Sequence, residues 1–158
     1  MSSSSELGAW LLPIDQTTAV AIGRYELKYI EYVKASVRLP GLPSYCEQGF
    51  LWRNRFVPAL DIHELVSHRR SRPTDEERLA AIIAYENSAG EVDMGAIFLR
   101  GIPRLLPVRP DQSVAVAELE TSWQLLAHAA FEDQSTRYPV LDLRALFDRT
   151  PADLLAMH

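Results

Sequence analysis

Two histidines and the acidic residue beside them are the first side chains in this sequence that could do chemistry. His63 and Glu64 precede His68, and a zinc-protease helix also carries two histidines with a glutamate next to the first. In that motif the histidines stand at positions i and i+4, so that both face the metal. Here they are five positions apart, which places them on different faces of a helix. We therefore predict that no metal is bound.

Nucleophilic catalysis has equally little support. Asp61 and His63 with a distant serine would make a hydrolytic set, yet the sequence contains no Gly-x-Ser-x-Gly elbow. The single cysteine, Cys46, has no histidine within its own segment, which favours an inert structural thiol. No Gly-x-Gly-x-x-Gly or phosphate-loop motif is present. We therefore predict that the protein is not an enzyme and needs no cofactor.

Arg53 is a better candidate for recognition than for catalysis. It lies between two apolar runs, 50–52 and 56–60, and is followed by Asn54. Because asparagine tolerates the left-handed backbone of a tight turn, Arg53 and Asn54 are predicted to form the tip of a β-hairpin. The planar guanidinium of an arginine held at such a tip can bind carboxylates or carbonyl groups of a partner protein.

The segment that follows this hairpin recurs later in the chain. Pro58-Ala-Leu-Asp-Ile-x-x-Leu-Val aligns without gaps with Pro139-Val-Leu-Asp-Leu-x-x-Leu-Phe, at an offset of 81 residues. In the first copy Asp61 can cap a short helix, and Glu64 can reach back to the cap. An offset of about half the chain is too long for a solenoid repeat. The sequence therefore predicts two related halves.

Short apolar runs separated by turn residues make up most of the remaining chain. Residues 10–14 and 19–22 predict a hairpin, and residues 25–33 predict a strand covered on both faces, because both faces carry apolar groups. Residues 123–131 have helical propensity, but the internal repeat favours a strand that pairs with 138–141. Further strands are predicted at 79–85, 92–99 and 104–108.

Length and composition are those of a folded globular chain. The 158 residues are 47% hydrophobic and 23% charged, which is typical of soluble domains. Many short strands and turns indicate an all-β fold of two small barrels with short helices. We expect a disordered N-terminus at 1–8, a single domain at 9–150 and a C-terminal tail at 151–158. Within the domain we expect two β subdomains, at about 19–66 with an early strand and at about 79–147.

The charge pattern bears on partners and location. A net charge of −5 disfavours a nucleic-acid groove, which needs clustered lysine and arginine. The strongest charge run, at 67–78, is basic and then acidic and predicts a solvated linker.

The sequence lacks a secretory signal pattern and an apolar run of membrane-spanning length. We expect a cytoplasmic protein with protein partners and no membrane insertion. A β-barrel module for a small ligand or a nucleic acid is the alternative.

The order of these motifs resembles that of the CheW-like domain family, the coupling modules of bacterial chemosensory arrays. The residues that match the family pattern are Ile22, Leu27-Lys28-Tyr29-Ile30, Pro43-Ser44-Tyr45, Trp52-Arg53-Asn54, Val57-Pro58 and Leu60-Asp61-Ile62. The second half matches more loosely, through Met94-Gly95 and Leu141-Asp142-Leu143. Gln48 and Asn54 stand where the family has glycine, and Tyr29 stands where it has glutamate.

The resemblance implies two five-stranded β-barrels around a shared core and no catalysis. It implies an adaptor that joins the regulatory domain of a CheA-like histidine kinase to the cytoplasmic tips of chemoreceptors, in chemotaxis or pilus motility. The divergent sequence resembles auxiliary members of the family. The partner-binding residues that the resemblance implies by position are Leu27, Tyr29, Gln48, Arg53 and Asn54.

Overall fold

The computed structural model describes residues 8–34, 36–42, 44–67 and 78–148. The strands in these ranges are β1 (Gly8–Pro13), β2 (Ala19–Gly23), β3 (Leu27–Val33), β4 (Val37–Arg38), β5 (Gln48–Trp52), β6 (Arg55–Leu60), β7 (Arg78–Glu86), β8 (Val92–Leu99), β9 (Arg104–Pro107), β10 (Ser113–Val114), β11 (Ala127–Asp133) and β12 (Thr136–Leu141). The α-helices are α1 (Ile62–Ser67), α2 (Thr121–Gln124) and α3 (Leu143–Phe147). None of these helices is long and apolar enough to cross a membrane.

The strands form two curled sheets with the same order of equivalent strands. Sheet 1 has the order β10-β11-β12-β2-β1-β9, and sheet 2 has the order β4-β5-β6-β8-β7-β3. Neighbours are antiparallel except for the parallel pairs β12–β2 and β6–β8. In each sheet a two-residue edge strand, β10 or β4, adds to five longer strands. The prediction of an all-β fold made of two related barrel-like units is confirmed.

Each sheet contains strands from both halves of the sequence. If β1 to β6 are the first half and β7 to β12 the second, the first hairpin of each half is inserted into the sheet of the other half. Thus β7–β8 lies between β3 and β6, and β1–β2 lies between β9 and β12. The subdomain boundaries at about 19–66 and 79–147 stay a prediction, but the sheets do not follow those segments. Neither half contains all the strands of one sheet.

The 81-residue repeat appears directly in the backbone hydrogen bonds. The N–H of Asp61 donates to the carbonyl of Tyr45 at 2.8 Å, and the N–H of Asp142 donates to the carbonyl of Leu126 at 2.9 Å. Donors and acceptors are each 81 positions apart, so the repeat extends well upstream of the Pro-x-Leu-Asp motif. The same offset relates the two hairpins β5–β6 and β11–β12.

Both aspartates cap the helix that follows them. Oδ1 of Asp61 accepts a hydrogen bond from the N–H of Glu64 at 3.0 Å, and Oδ1 of Asp142 accepts one from Ala145 at 3.1 Å. The predicted cap at Asp61 is therefore confirmed. A side chain that caps a helix satisfies a backbone donor that has no partner within the helix.

Asp61 also belongs to a buried ion pair that the sequence analysis did not anticipate. Its Oδ2 accepts a hydrogen bond from Nη2 of Arg78, and Nη2 of Arg100 is 3.7 Å away. Asp61 and Arg78 are 4% and 3% exposed. Arg78 begins β7 and Arg100 follows β8, so this cluster joins the inserted hairpin to the first half of the chain.

The hydrophobic core is shared between the sheets. Its main cluster contains residues of both sheets, together with the inward faces of α1 and α3. The largest side chains that are fully buried in this cluster are Leu12, Ile14, Ile22, Tyr45, Ile62, Ile83, Ile97, Leu141 and Leu146. A second hydrophobic cluster contains residues of sheet 2 alone. A third contains residues of sheet 1 alone. The shared core implied by the family resemblance is thus present.

Strand β3 differs from its prediction. It lies at one edge of sheet 2 and pairs only with β7. Ile30 and Tyr32, on one of its faces, are 41% and 61% exposed. The expectation that the strand is covered on both faces is wrong. The register shifts between Leu27 and Tyr29, where Lys28 forms an irregularity in the ladder. A bulge changes which face the following side chains occupy, and this accounts for the imperfect alternation in the sequence.

Two boundaries are also revised. Gly8, predicted to end a disordered N-terminus, is the first residue of β1. In the predicted strand at 123–131, Trp123 belongs to α2 and the strand itself begins at Ala127; the hairpin with β12 is confirmed. Most of the predicted linker and the whole predicted tail lie outside the described residues.

We expect Asp61→Ala to lower the free energy of unfolding by about 3–5 kcal/mol, because it leaves the Arg78 charge buried without its carboxylate. Asp142→Ala is the matched control, since it removes the equivalent helix cap, and it should cost about 1 kcal/mol. Urea unfolding followed by circular dichroism measures both values. Equal losses for the two variants would show that the buried ion pair adds no stability beyond the cap.

Candidate partner-binding site

The hairpin β5–β6 ends in a two-residue turn at Arg53 and Asn54. Their φ angles are 51° and 66°, and positive values at both central residues define the type I′ turn that suits the twist of a hairpin. The predicted hairpin and its tip are therefore confirmed. Both residues are exposed, and the tight turn fixes the direction in which the Arg53 side chain leaves the backbone.

The guanidinium of Arg53 lies against two aromatic rings. Its Cζ is 4.2 Å from the centre of the Tyr29 ring and 4.6 Å from that of Trp52. Its Nη1 donates a hydrogen bond to the Tyr29 hydroxyl at 3.1 Å. Cation–π contacts of this kind stabilise a cation without neutralising its charge. Arg53 is thus held in place while most of its hydrogen-bond donors stay available.

The curl of sheet 2 brings these rings together. The Tyr29 and Trp52 rings, on β3 and β5, have centres 5.1 Å apart, and Nε1 of Trp52 donates to Oε1 of Glu31 at 3.1 Å. Because β3 and β5 are not neighbours in the hydrogen-bonded order, side chains make this contact. We call Tyr29, Trp52, Arg53 and Asn54 the hairpin tip.

Exposed apolar side chains lie next to the hairpin tip, on the face of sheet 2 opposite to the Trp52 ring. Leu51 is 74% exposed, Phe56 43% and Ile30 41%. Among the described residues Arg53 makes no ion pair, whereas Arg55 lies 3.8 Å from Asp93 in an exposed pair. An arginine held by aromatic rings next to exposed apolar groups has the composition of a protein-binding hot spot. The arrangement can bind a carboxylate beside an apolar surface.

The structure places three of the five predicted partner-binding residues at the tip. Tyr29, Arg53 and Asn54 lie together there. Leu27 is half-buried and packs against the shared core. Gln48 is 4% exposed and accepts a hydrogen bond from Oγ of Ser36 at 2.7 Å. The positions of Leu27 and Gln48 therefore do not agree with direct contact to a partner, because both side chains point into the protein.

Trp52 is the tip residue that the sequence analysis did not include among the partner-binding residues. The ring is only partly buried. One part of it packs on the hydrophobic cluster inside sheet 2, and the ring also contacts Arg53 and Tyr29. An aromatic residue directly before an arginine at a hairpin tip is the sequence feature that could have indicated it.

The residues considered for catalysis lie apart from the tip. Nδ1 of His63 is 3.2 Å from Oδ2 of Asp15, and His68 lies outside the described residues. Cys46 is buried, and burial, with the nearby negative charge of Glu47, raises its pKa to about 11. Within the described ranges, no group of three or more histidine, cysteine, aspartate or glutamate side chains is arranged to hold a metal ion.

A scan of protein-family models finds no match to this chain, and a search of curated protein sequences finds none either. Solved structures do match. One of them is the scaffolding protein TtCheW from Thermoanaerobacter tengcongensis, which is 11% identical in sequence and has a TM-score of 0.71. The match covers 92% of this chain and 94% of that chain. The resemblance noted in the sequence is therefore confirmed at the level of architecture, and the chain has a CheW-like fold.

Proposed function

We propose that this protein is a non-catalytic adaptor in the cytoplasm of a bacterial chemosensory system. It couples the regulatory domain of a CheA-like histidine kinase to the cytoplasmic tips of chemoreceptors. The CheW-like fold supports a scaffold role in general terms. The single observation that carries the proposal for this chain is the hairpin tip, where Arg53 is held between Tyr29 and Trp52 without an ion pair among the described residues.

The tip suits binding because its main residue is already ordered. A free arginine loses side-chain entropy when a partner immobilises it. Arg53 has its guanidinium fixed by two rings and by the Tyr29 hydroxyl, so less entropy remains to be lost. Its partner groups are carboxylates, which accept two parallel hydrogen bonds from a guanidinium. The exposed apolar residues Leu51 and Phe56 are cross-strand neighbours in the same hairpin and offer apolar surface next to the tip.

Leu27 and Gln48 have a supporting role in this proposal. Leu27 anchors the start of β3 to the shared core, and Gln48 anchors the start of β5 through Ser36. These two strands carry Tyr29 and Trp52. The direct contacts to a partner come from Tyr29, Trp52, Arg53 and Asn54.

Arg53→Glu should weaken binding to the kinase regulatory domain or to the receptor tip by about 2 kcal/mol or more, roughly thirtyfold, because it replaces an ordered cation with an anion. Arg109→Glu is the matched control, since Arg109 is exposed and pairs with Asp111 in its own turn; it should change the affinity less than about threefold. Titration calorimetry with each partner measures both. Failure of the wild type to bind either partner, or equal affinities for the two variants, contradicts the proposal.

Two substitutions of Tyr29 distinguish the contribution of its ring to binding from that of its hydroxyl. Tyr29→Phe keeps the face under Arg53 and removes one exposed hydrogen bond, so affinity should fall less than about threefold. Tyr29→Ala removes the ring and should weaken binding by about 1 kcal/mol or more. The same titrations apply, with thermal unfolding as a check on folding. If both variants bind alike, the ring does not position Arg53.

The buried thiol offers a test of the non-catalytic assignment. Because the pKa of Cys46 is raised from 9.0 to about 11 in the folded protein, the unfolded chain loses its thiol proton first as the pH rises. The contribution of the Cys46 thiol to the free energy of unfolding is therefore fully present below pH 9 and declines between pH 9 and 11. The decline should be smaller in Cys46→Ala, measured by urea unfolding across this range. Rapid alkylation of the folded protein by iodoacetamide at neutral pH would instead reveal a reactive thiolate.

A further inference from the structure

A groove of about 800 Å³ is separate from the hairpin tip, because none of the tip residues lines it. Its walls come from both halves of the chain. The first half contributes the loop between β1 and β2 and one side of α1, and the second half contributes residues 118–123 and the beginning of β12. The groove therefore exists only because the two halves are packed together.

The lining of the groove combines apolar surface with acidic groups. Apolar lining is provided by Val66, Leu119, Trp123 and Tyr138. The charged groups are Asp15, Glu118, Glu120 and Arg137, together with the titratable His63. Three carboxylates against one arginine give the groove an acidic character.

Most of these charges are already engaged. Oδ2 of Asp15 lies 3.2 Å from Nδ1 of His63. Burial raises the pKa of Asp15, but hydrogen bonds from Thr17 and Thr18 and the charge of His63 bring that pKa below its ordinary value. Asp15 therefore stays ionised. Arg137 lies 3.6 Å from Glu118 and 3.2 Å from Glu132. The exposed Glu120 carboxylate, in contrast, makes no hydrogen bond or ion pair among the described residues.

The internal repeat shows how this groove differs from its counterpart. Two positions that line it, Val66 and Thr136, correspond at the 81-residue offset to Phe147 and Arg55. The ring of Phe147 stacks on Tyr85 with centres 5.5 Å apart, and Arg55 is 3.8 Å from Asp93. The counterpart positions therefore carry larger side chains that contact other residues of the chain, whereas Val66 and Thr136 are smaller and leave space in the groove.

We propose that the groove binds a segment of a partner protein that carries an apolar side chain flanked by lysine or arginine. Charge complementarity selects this occupant, because the basic groups would meet Glu120 and the ionised Asp15. The apolar side chain would pack on Val66, Leu119 and Trp123. The inference rests on the proposed adaptor function, which requires a second binding surface. The two surfaces have opposite charge, so each disfavours the other's partner.

A short peptide of alternating leucine and lysine is the probe, and its binding is followed by amide and indole shifts in nitrogen-labelled protein. We expect shifts at Val66, Glu120 and the indole of Trp123. Glu120→Lys should weaken binding roughly tenfold, whereas the matched charge change Glu91→Lys, on the exposed turn after β7, should weaken it less than about threefold. Ser122→Trp, an exposed position that lines the groove, should abolish binding by filling it.

Three results would overturn the proposal: no binding of the basic peptide to the wild type, equal weakening by Glu120→Lys and Glu91→Lys, or equally tight binding of a leucine–glutamate peptide. Thermal unfolding of Ser122→Trp shows whether that variant is folded. Arg53→Glu should bind the peptide as the wild type does. If the Arg53→Glu variant also binds the kinase and receptor partners as the wild type does, the proposed role of the hairpin tip is wrong. The peptide result still tests the groove in that case.

Discussion

The exchange of hairpins between the two halves is the constraint on which the rest of the structure depends. Each sheet is completed by two strands of the other half, joined through one parallel pair. A half by itself would expose unpaired strand edges and the apolar residues that the exchange buries. Asp61 and Arg78 lie where the inserted hairpin β7–β8 begins, so a charge pair with little access to water holds the exchange at that point.

This constraint also shapes the two surfaces. In sheet 2 the strands β7 and β8 lie between β3 and β6, and in the curled sheet the ring of Tyr29 meets Trp52 and Arg53. The groove has one wall from each half and would disappear if the halves separated. Binding at either surface therefore favours the assembled fold, because a ligand that binds only the native state stabilises it.

The internal repeat separates what is structural from what is specific to one half. The helix cap, the two-residue turn and the backbone bond to Tyr45 or Leu126 occur in both copies. The buried ion pair is described in the first copy alone. The same holds for the ring-held arginine, because Gln134 occupies the position of Arg53 at the second tip. Shared features maintain the fold, and the features present in one copy distinguish its surface from the other.

Local sequence determined the elements whose cause is local. Asn54 permits the tight turn, Asp61 caps the helix that follows, and Pro-x-Leu-Asp marks both halves, so the hairpin, the cap and the repeat could be predicted. Tertiary structure alone decided the rest. The burial of Gln48, the exposure of β3 and the placement of Arg53 against a ring 24 residues earlier in the chain depend on which strands become neighbours. Strand order depends on long-range pairing and on burying a shared core, and neither leaves a local pattern in the residues concerned.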